Sequence, residues 1–268
     1  MVQVFCEETD DFHAEKDLAT FHMSMMHYHH AFEIYYLCHG EREYFIGDEF
    51  YKVTDGDLVF IPQNVLHRTS GKGALRFLIY FSEGFLARFF TPQMLAALPL
   101  DRPTVFHPDE GLGQLIEAEL GSMVKRFEET RTADAASAAS IGYLLTLLRE
   151  KRNHYAPEVY TDRRIGEIVR YINEHYAEIE DIEDVAGKFY VSKYHLCRIF
   201  NKNLGLPLIS YLNTIKIRAA AELMHNKDLS LTEIALRCGF NSSSYFCKVF
   251  KSEKGVSPSE YRKRLKGK

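Results

Sequence analysis

Ser230-Leu-Thr-Glu-Ile-Ala-Leu-Arg-Cys-Gly-Phe-Asn-Ser-Ser-Ser-Tyr-Phe-Cys-Lys-Val-Phe-Lys251 decides how the rest of the chain is read. Ser230 with Glu233 three positions on forms a capping box, so a helix starts at Leu231. Leu231, Ile234, Ala235 and Cys238 fall at helical spacing on one face. Gly239 supplies the backbone freedom of a sharp turn. A second helix then opens at Ser242 and turns Tyr245 or Phe246, Val249 and Phe250 inward. Helix, tight turn and helix is the layout of a helix-turn-helix, whose second helix can enter a DNA major groove. Lys248 and Lys251 leave that second helix basic.

One helical hairpin of this length serves a plain core as readily as DNA, but here the pattern occurs twice. Ser192, Leu196, Arg198, Phe200, Gly205 and Tyr211 stand fifty positions before Ser242, Phe246, Lys248, Phe250, Gly255 and Tyr261. Val185-Ala186 precedes Ile234-Ala235 by forty-nine, so the first turn is one residue shorter. A repeat of this size signals two copies of one supersecondary module.

With Ile234-Ala235, Gly239-Phe240, Tyr245-Phe246, Phe250-Lys251, Gly255 and Ser257-Pro-Ser-Glu-Tyr-Arg262 in register, residues from about 164 to 264 resemble the DNA-binding domain of AraC-type bacterial transcription regulators. The resemblance covers about a hundred residues. It implies duplex DNA as a partner, a small-molecule effector bound in an N-terminal domain, and a homodimer.

Charge is divided accordingly. The whole chain is −4, but from Val159 onward 19 basic residues face 13 acidic ones, a net +6 that leaves −10 for the remainder. A nucleic-acid domain joined to an acidic one accounts for that asymmetry, and the acidic half confines DNA to the C-terminal part. Five cysteines without a Cys-x-x-Cys pair argue against a disulfide framework or zinc finger and for a reducing interior. The N-terminus lacks the basic start and apolar run of a signal peptide. No stretch approaches the ~20 apolar residues of a membrane span. A cytoplasmic location without a membrane partner is expected.

Before about Ser82 the pattern changes to short strands punctuated by glycine. Phe32 to Cys38, Glu43 to Ile46, Phe50 to Val53, Asp57 to Ile61 and Leu75 to Phe81 are rich in β-branched and aromatic residues. Regularly spaced short strands imply a sandwich or barrel. Among them His27-x-His29-x-x-x-Glu33 with Gly40, and Gly56 with Pro62 and His67, are similar to the two motifs of the cupin barrel, a jelly roll whose mouth binds small ligands. Asn64 stands where that pattern has Gly, and Gly71 where it has a final Asn. If 27–33 is one regular strand, His27, His29 and Glu33 share a face. With His67 they make three imidazoles and a carboxylate, able to hold divalent zinc, nickel, manganese or iron. A hydrogen-bonding pocket for an effector, with His27, His29, Glu33, Tyr35 and His67 as contacts, uses the same residues, and so does simple structural pairing. Tyr28, Tyr35, Tyr44 and Phe60 can line such a pocket, since sugars stack on aromatic faces.

Short helices are expected over Phe85 to Phe90 and Pro92 to Leu98. Leu112, Leu115, Ile116, Leu120, Val124 and Phe127 give a helical stripe, and Ile141, Leu144, Leu145, Leu147 and Leu148 a second. Together they read as an antiparallel hairpin packed on the barrel. Beyond a linker at 153–162, Ile165 to Ile172 buttresses the first module, and Pro207 to about Asn226 forms a connecting helix. Its ~20 residues span ~30 Å, against ~34 Å for a turn of B-DNA.

The expected architecture is α+β and multidomain. A cupin-like β-barrel (jelly roll) at about 1–82 and a helical hairpin at about 110–152 make an effector-binding and dimerisation domain over 1–152. An all-α domain of two helix-turn-helix modules occupies 163–268. Base contacts require side chains near the start and on the outer face of each second helix. These are Lys193, Tyr194, Cys197 and Arg198, then Ser243, Ser244, Tyr245 and Lys248. The function expected is sequence-specific transcriptional regulation controlled by a sugar or related metabolite, without catalysis. The rival is a metal-dependent cupin enzyme fused to a DNA-binding domain.

Overall fold

The computed structural model describes residues 5–7, 11–19, 26–151 and 163–266. The chain divides into two compact units, residues 7–160 and residues 161–268, the latter grouped with residues 1–6. The expected linker, 153–162, lies outside the described residues.

Ten strands are described: β1 (Phe5–Glu7), β2 (Phe12–Ala19), β3 (His27–His29), β4 (Phe32–His39), β5 (Glu41–Ile46), β6 (Glu49–Thr54), β7 (Leu58–Ile61), β8 (His67–Ser70), β9 (Ala74–Phe81) and β10 (Thr104–Phe106). They form two five-stranded sheets, ordered β1-β3-β8-β5-β6 and β10-β7-β4-β9-β2. The expected jelly roll thus takes the form of two sheets that share no strand and do not close into a barrel. The cause is local. The strand beginning at His27 stops at His29, and a bend at His30 and Ala31 sends the chain into the other sheet as β4.

β4 is buried on both faces, which is why it reads as a continuous apolar run rather than an alternation. Phe32, Ile34 and Tyr36 join Phe77, Ile79, Leu58 and Phe60 in a core closed by two helices, α3 (Glu110–Thr130) and α4 (Ala135–Lys151). Ile116, Leu120, Val124, Ile141, Leu144 and Leu145 supply the helical side of that core. From the opposite face of β4, Tyr35 and Leu37 pack with Val59, Ile61, Tyr44, Ile46 and Val53. Phe60, read as a pocket residue, thus belongs to the sheet–helix core. The short helices α1 (Glu83–Ala87) and α2 (Pro92–Ala97) are capped by Ser82 and Thr91.

The second unit is helical: α5 (Arg163–His175), α6 (Ile182–Lys188), α7 (Lys193–Leu204), α8 (Leu208–Leu223), α9 (Leu231–Arg237), α10 (Ser243–Lys254) and α11 (Pro258–Lys266). Capping boxes start α6 at Asp181 and α9 at Ser230, while Ser192 and Ser242 cap α7 and α10. Both modules end on a left-handed glycine, Gly205 or Gly255. The connecting helix has 16 residues, not the expected 20, hence a length of ~24 Å. It ends at Leu223 with Met224 as C-cap, and just beyond it the Asn226 side chain accepts from the Asp228 N–H at 2.9 Å. α8 buries Thr214 and Lys216 along with Tyr211, Leu212, Ile217 and Ala220, while Ile209 and Glu222 are exposed. One side faces Phe200 through Tyr211, ring centroids 5.5 Å apart. Ile217, Ala220 and Met224 pack with Ile234, Phe246 and Phe250 of the second module.

Candidate nucleic-acid interface and candidate ligand site

Leu196 and Phe200 anchor α7, and Phe246 and Phe250 anchor α10, all four buried. That burial turns the opposite faces outward. On α7, Tyr194 is 79% exposed and Arg198 is exposed, its guanidinium 3.4 Å from His195 Nδ1. Cys197 is half-buried. Lys193 also points out, but its ammonium donates to Glu183 at 2.5 Å, and this bond raises its pKa. On α10, Ser243, Ser244 and Lys248 are exposed. Tyr245 is 44% exposed and its hydroxyl accepts from Asn213 Nδ2 at 2.9 Å, so it is partly tied to α8. The expected residues therefore share the outward faces, with Lys193 and Tyr245 engaged inside the unit. Cys247, also exposed, was missed, although it lies fifty positions after Cys197.

The two turns are built alike and are occupied differently. Gly239 has φ +75°, and a Cβ there would sit 2.5 Å from the Ala177 carbonyl oxygen. Its counterpart forty-nine positions earlier is Tyr190, with φ +53°. The N–H of each bonds to the carbonyl three residues back, Leu236 or Gly187. A left-handed backbone costs a residue with a Cβ ~1–2 kcal/mol. Tyr190 nevertheless holds it while 95% exposed.

Between the modules, Lys216 Nζ donates to the carbonyl of Ile179 at 2.8 Å and to that of Gly239 at 2.7 Å. Ile179 precedes α6 and Gly239 is the turn of the second module, so one buried ammonium joins the two. Burial pulls its pKa down. No apolar periodicity marks this lysine, and sequence reading missed it.

In the first unit, His29, Glu33 and His67 are buried, and one potential ligand atom from each lies within 4.8 Å of the others. His29 and His67 come from one sheet and Glu33 from the other, so they meet across the gap and not along one strand face as expected. His29 Nδ1 lies 2.7 Å from the Ala31 carbonyl, and His67 Nδ1 2.8 Å from that of Val65. A carbonyl only accepts, so both Nδ1 atoms donate. In neutral rings each Nε2 is then a bare lone pair. His29 Nε2 is 3.0 Å and His67 Nε2 3.5 Å from the same Glu33 oxygen. Burial pushes the Glu33 pKa up, but hydrogen bonds from His29 and His67, with their charge, hold it well below the usual carboxylate range. Three acceptors converging on one point need a positive charge, either a proton on Nε2 or a metal ion. An N,N,O donor set whose outer ring nitrogens are fixed by carbonyls suits a first-row divalent metal. His27 pairs with His67 across β3 and β8, ring centroids 4.1 Å apart, beside the three-atom cluster. Tyr35 packs on Tyr44 with centroids 5.3 Å apart, and burial raises its hydroxyl pKa.

Residues 185–264 match a family described as a helix-turn-helix domain, and residues 12–146, half of the chain, match the AraC-like ligand binding domain. Over 104 residues the chain is 35% identical to the regulatory protein PocR of Salmonella typhimurium, a match covering 39% of this chain and about a third of PocR (34%). Over 242 residues it is 25% identical to the HTH-type transcriptional activator RhaS of Citrobacter koseri, covering 88% of this chain and 86% of RhaS. Among solved structures, ToxT of Vibrio cholerae O395 aligns over 96% of this chain and 99% of its own, at 18% identity and a TM-score of 0.38. No helix among the described residues is long and apolar enough to cross a membrane.

Proposed function

The chain belongs to the AraC-like family, and from that premise we propose that it is a transcription regulator. It reads duplex DNA with α7 and α10 and responds to a small effector held between the two N-terminal sheets. The observation that carries this reading is the pair of capped, outward-facing second helices in a unit of net positive charge. Residues 163–268 are assigned to DNA and 1–152 to the effector, with 153–162 as linker. Lys193, Tyr194, Cys197, Arg198, Ser243, Ser244, Tyr245 and Lys248 face the duplex, joined by Cys247. His27, His29, Glu33, Tyr35 and His67 face the effector, a sugar or related metabolite. The support for that class is the number of buried polar groups among them, since a hydroxylated ligand can satisfy such groups.

Arg198 is the residue with most to offer a base, because a guanidinium can make two bonds to guanine O6 and N7. Arg198→Ala is expected to weaken binding to a selected operator by ~1–3 kcal/mol and to relax preference at one base pair. Electrophoretic mobility shifts on operator variants and on random duplex measure both. Equal weakening on the two kinds of DNA would make Arg198 a phosphate contact. No retention of wild-type protein on any duplex at low salt would end the regulatory reading.

The converging lone pairs of the histidine cluster favour a second reading for that site, in which His29, Glu33 and His67 hold a divalent metal. The metal would supply positive charge between the sheets. Under this reading, titration of metal-free wild-type protein with Zn²⁺ gives one tight equivalent, and Glu33→Gln with His67→Ala abolishes it. Binding below a tenth of an equivalent in the wild type would leave the charge to protons on the imidazoles.

A further inference from the structure

The left-handed backbone at Tyr190 closes the turn after α6. A tyrosine there costs more than a glycine would, and its exposed ring gives the fold nothing visible in return. Its backbone is left-handed, a conformation that a bulky residue keeps only under constraint, and such strain gathers where function demands it. The equivalent position in the second module is filled by Gly239, which is free of that cost. There glycine is required, because the Ala177 carbonyl leaves no room for a Cβ. No such wall surrounds Tyr190, whose ring stands in solvent at the tip of the turn, two residues before the Ser192 cap of α7. Tyr194, in the first turn of α7, is the next large exposed ring. Between them Lys193 is drawn back to Glu183. The entrance to the first recognition helix thus presents two tyrosines where a lysine would ordinarily meet a polyanion.

We propose that Tyr190 contacts the sugar–phosphate backbone of duplex DNA, its hydroxyl donating to a phosphate oxygen and thereby positioning α7. This rests on the reading of the second unit as a DNA reader. The contact carries register and not sequence, since a phosphate oxygen is the same at every base pair. Tyrosine is neutral, so losing it releases no additional counterions and leaves the salt dependence unchanged, unlike loss of a lysine.

The test compares the full wild-type chain, Tyr190→Gly, Tyr190→Asn and Tyr190→Phe on a mixed-sequence duplex of about 40 base pairs across a salt series, with thermal melting alongside. Glycine and asparagine both accept the left-handed backbone, so these two variants melt at or above the wild-type midpoint, by up to ~4 °C. The same two bind the duplex about 3- to 10-fold more weakly at every salt concentration, with the slope of log affinity against log salt unchanged. Tyr190→Phe reproduces most of that loss. Unchanged duplex affinity in both Tyr190→Gly and Tyr190→Asn, with wild type binding normally, overturns the contact while leaving the DNA reading intact. Full affinity in Tyr190→Phe alone overturns the hydroxyl's role. Failure of wild type to bind duplex overturns both.

Discussion

Gly239→Ala lowers the stability of the C-terminal unit by ~2–5 kcal/mol, since among the described glycines it is here that a Cβ would make its closest approach to a neighbour. Two costs add. A left-handed backbone with a Cβ costs ~1–2 kcal/mol. The new methyl would also stand 2.5 Å from the Ala177 carbonyl oxygen and 2.9 Å from its carbon, and main chain cannot swing aside as a flexible side chain does. Overpacking of this kind costs ~1–3 kcal/mol. Urea unfolding of wild type and variant measures the sum. A loss under ~1 kcal/mol would mean that the Ala177 segment yields freely and is no rigid neighbour of the second turn.

Lys216→Met is expected to cost ~2–3 kcal/mol. The two charge-assisted bonds to Ile179 and Gly239 are each worth ~1.5–3 kcal/mol in favourable cases, and their loss strands two carbonyls. Against this, methionine relieves the penalty of burying an ammonium, the same penalty that lowers the pKa of Lys216. The net is therefore smaller than the two bonds together. Because Lys216 and Gly239 share a contact, the double variant is expected to be less unstable than the sum of the singles, by ~1 kcal/mol in a double-mutant cycle. Strict additivity would show that the lysine does not grip the turn.

Much of the second unit was legible in the sequence because its signals are local. Ser230 with Glu233, Ser192, Ser242 and Gly239 each act within four residues, and each does in the structure what its chemistry predicts. Long-range features were not legible. β2 was missed because an edge strand pairs on one side only, and its Glu15-Lys-Asp17 run looks solvated. The bend at His30 and Ala31 has no glycine or proline to announce it, so one expected strand became two in separate sheets. Parity put His27, His29 and Glu33 on one strand face, whereas Tyr28 between the histidines is buried too and Glu33 comes from the other sheet. Lys216 reads as a solvated charge on an amphipathic helix, and only packing by modules on both sides of α8 reveals otherwise. Tyr190 carries no residue-type signal of a left-handed turn, although its offset from Gly239 could have exposed it.

His29 and Glu33 arrive from opposite layers of the N-terminal unit, and β4 continues from Glu33 with Ile34 and Tyr36 against the helical hairpin. A cation held at that point would act as a rivet through two plates. Glu33 belongs to the plate whose other side carries α3 and α4, so the rivet would tie the hairpin's own sheet to the facing one.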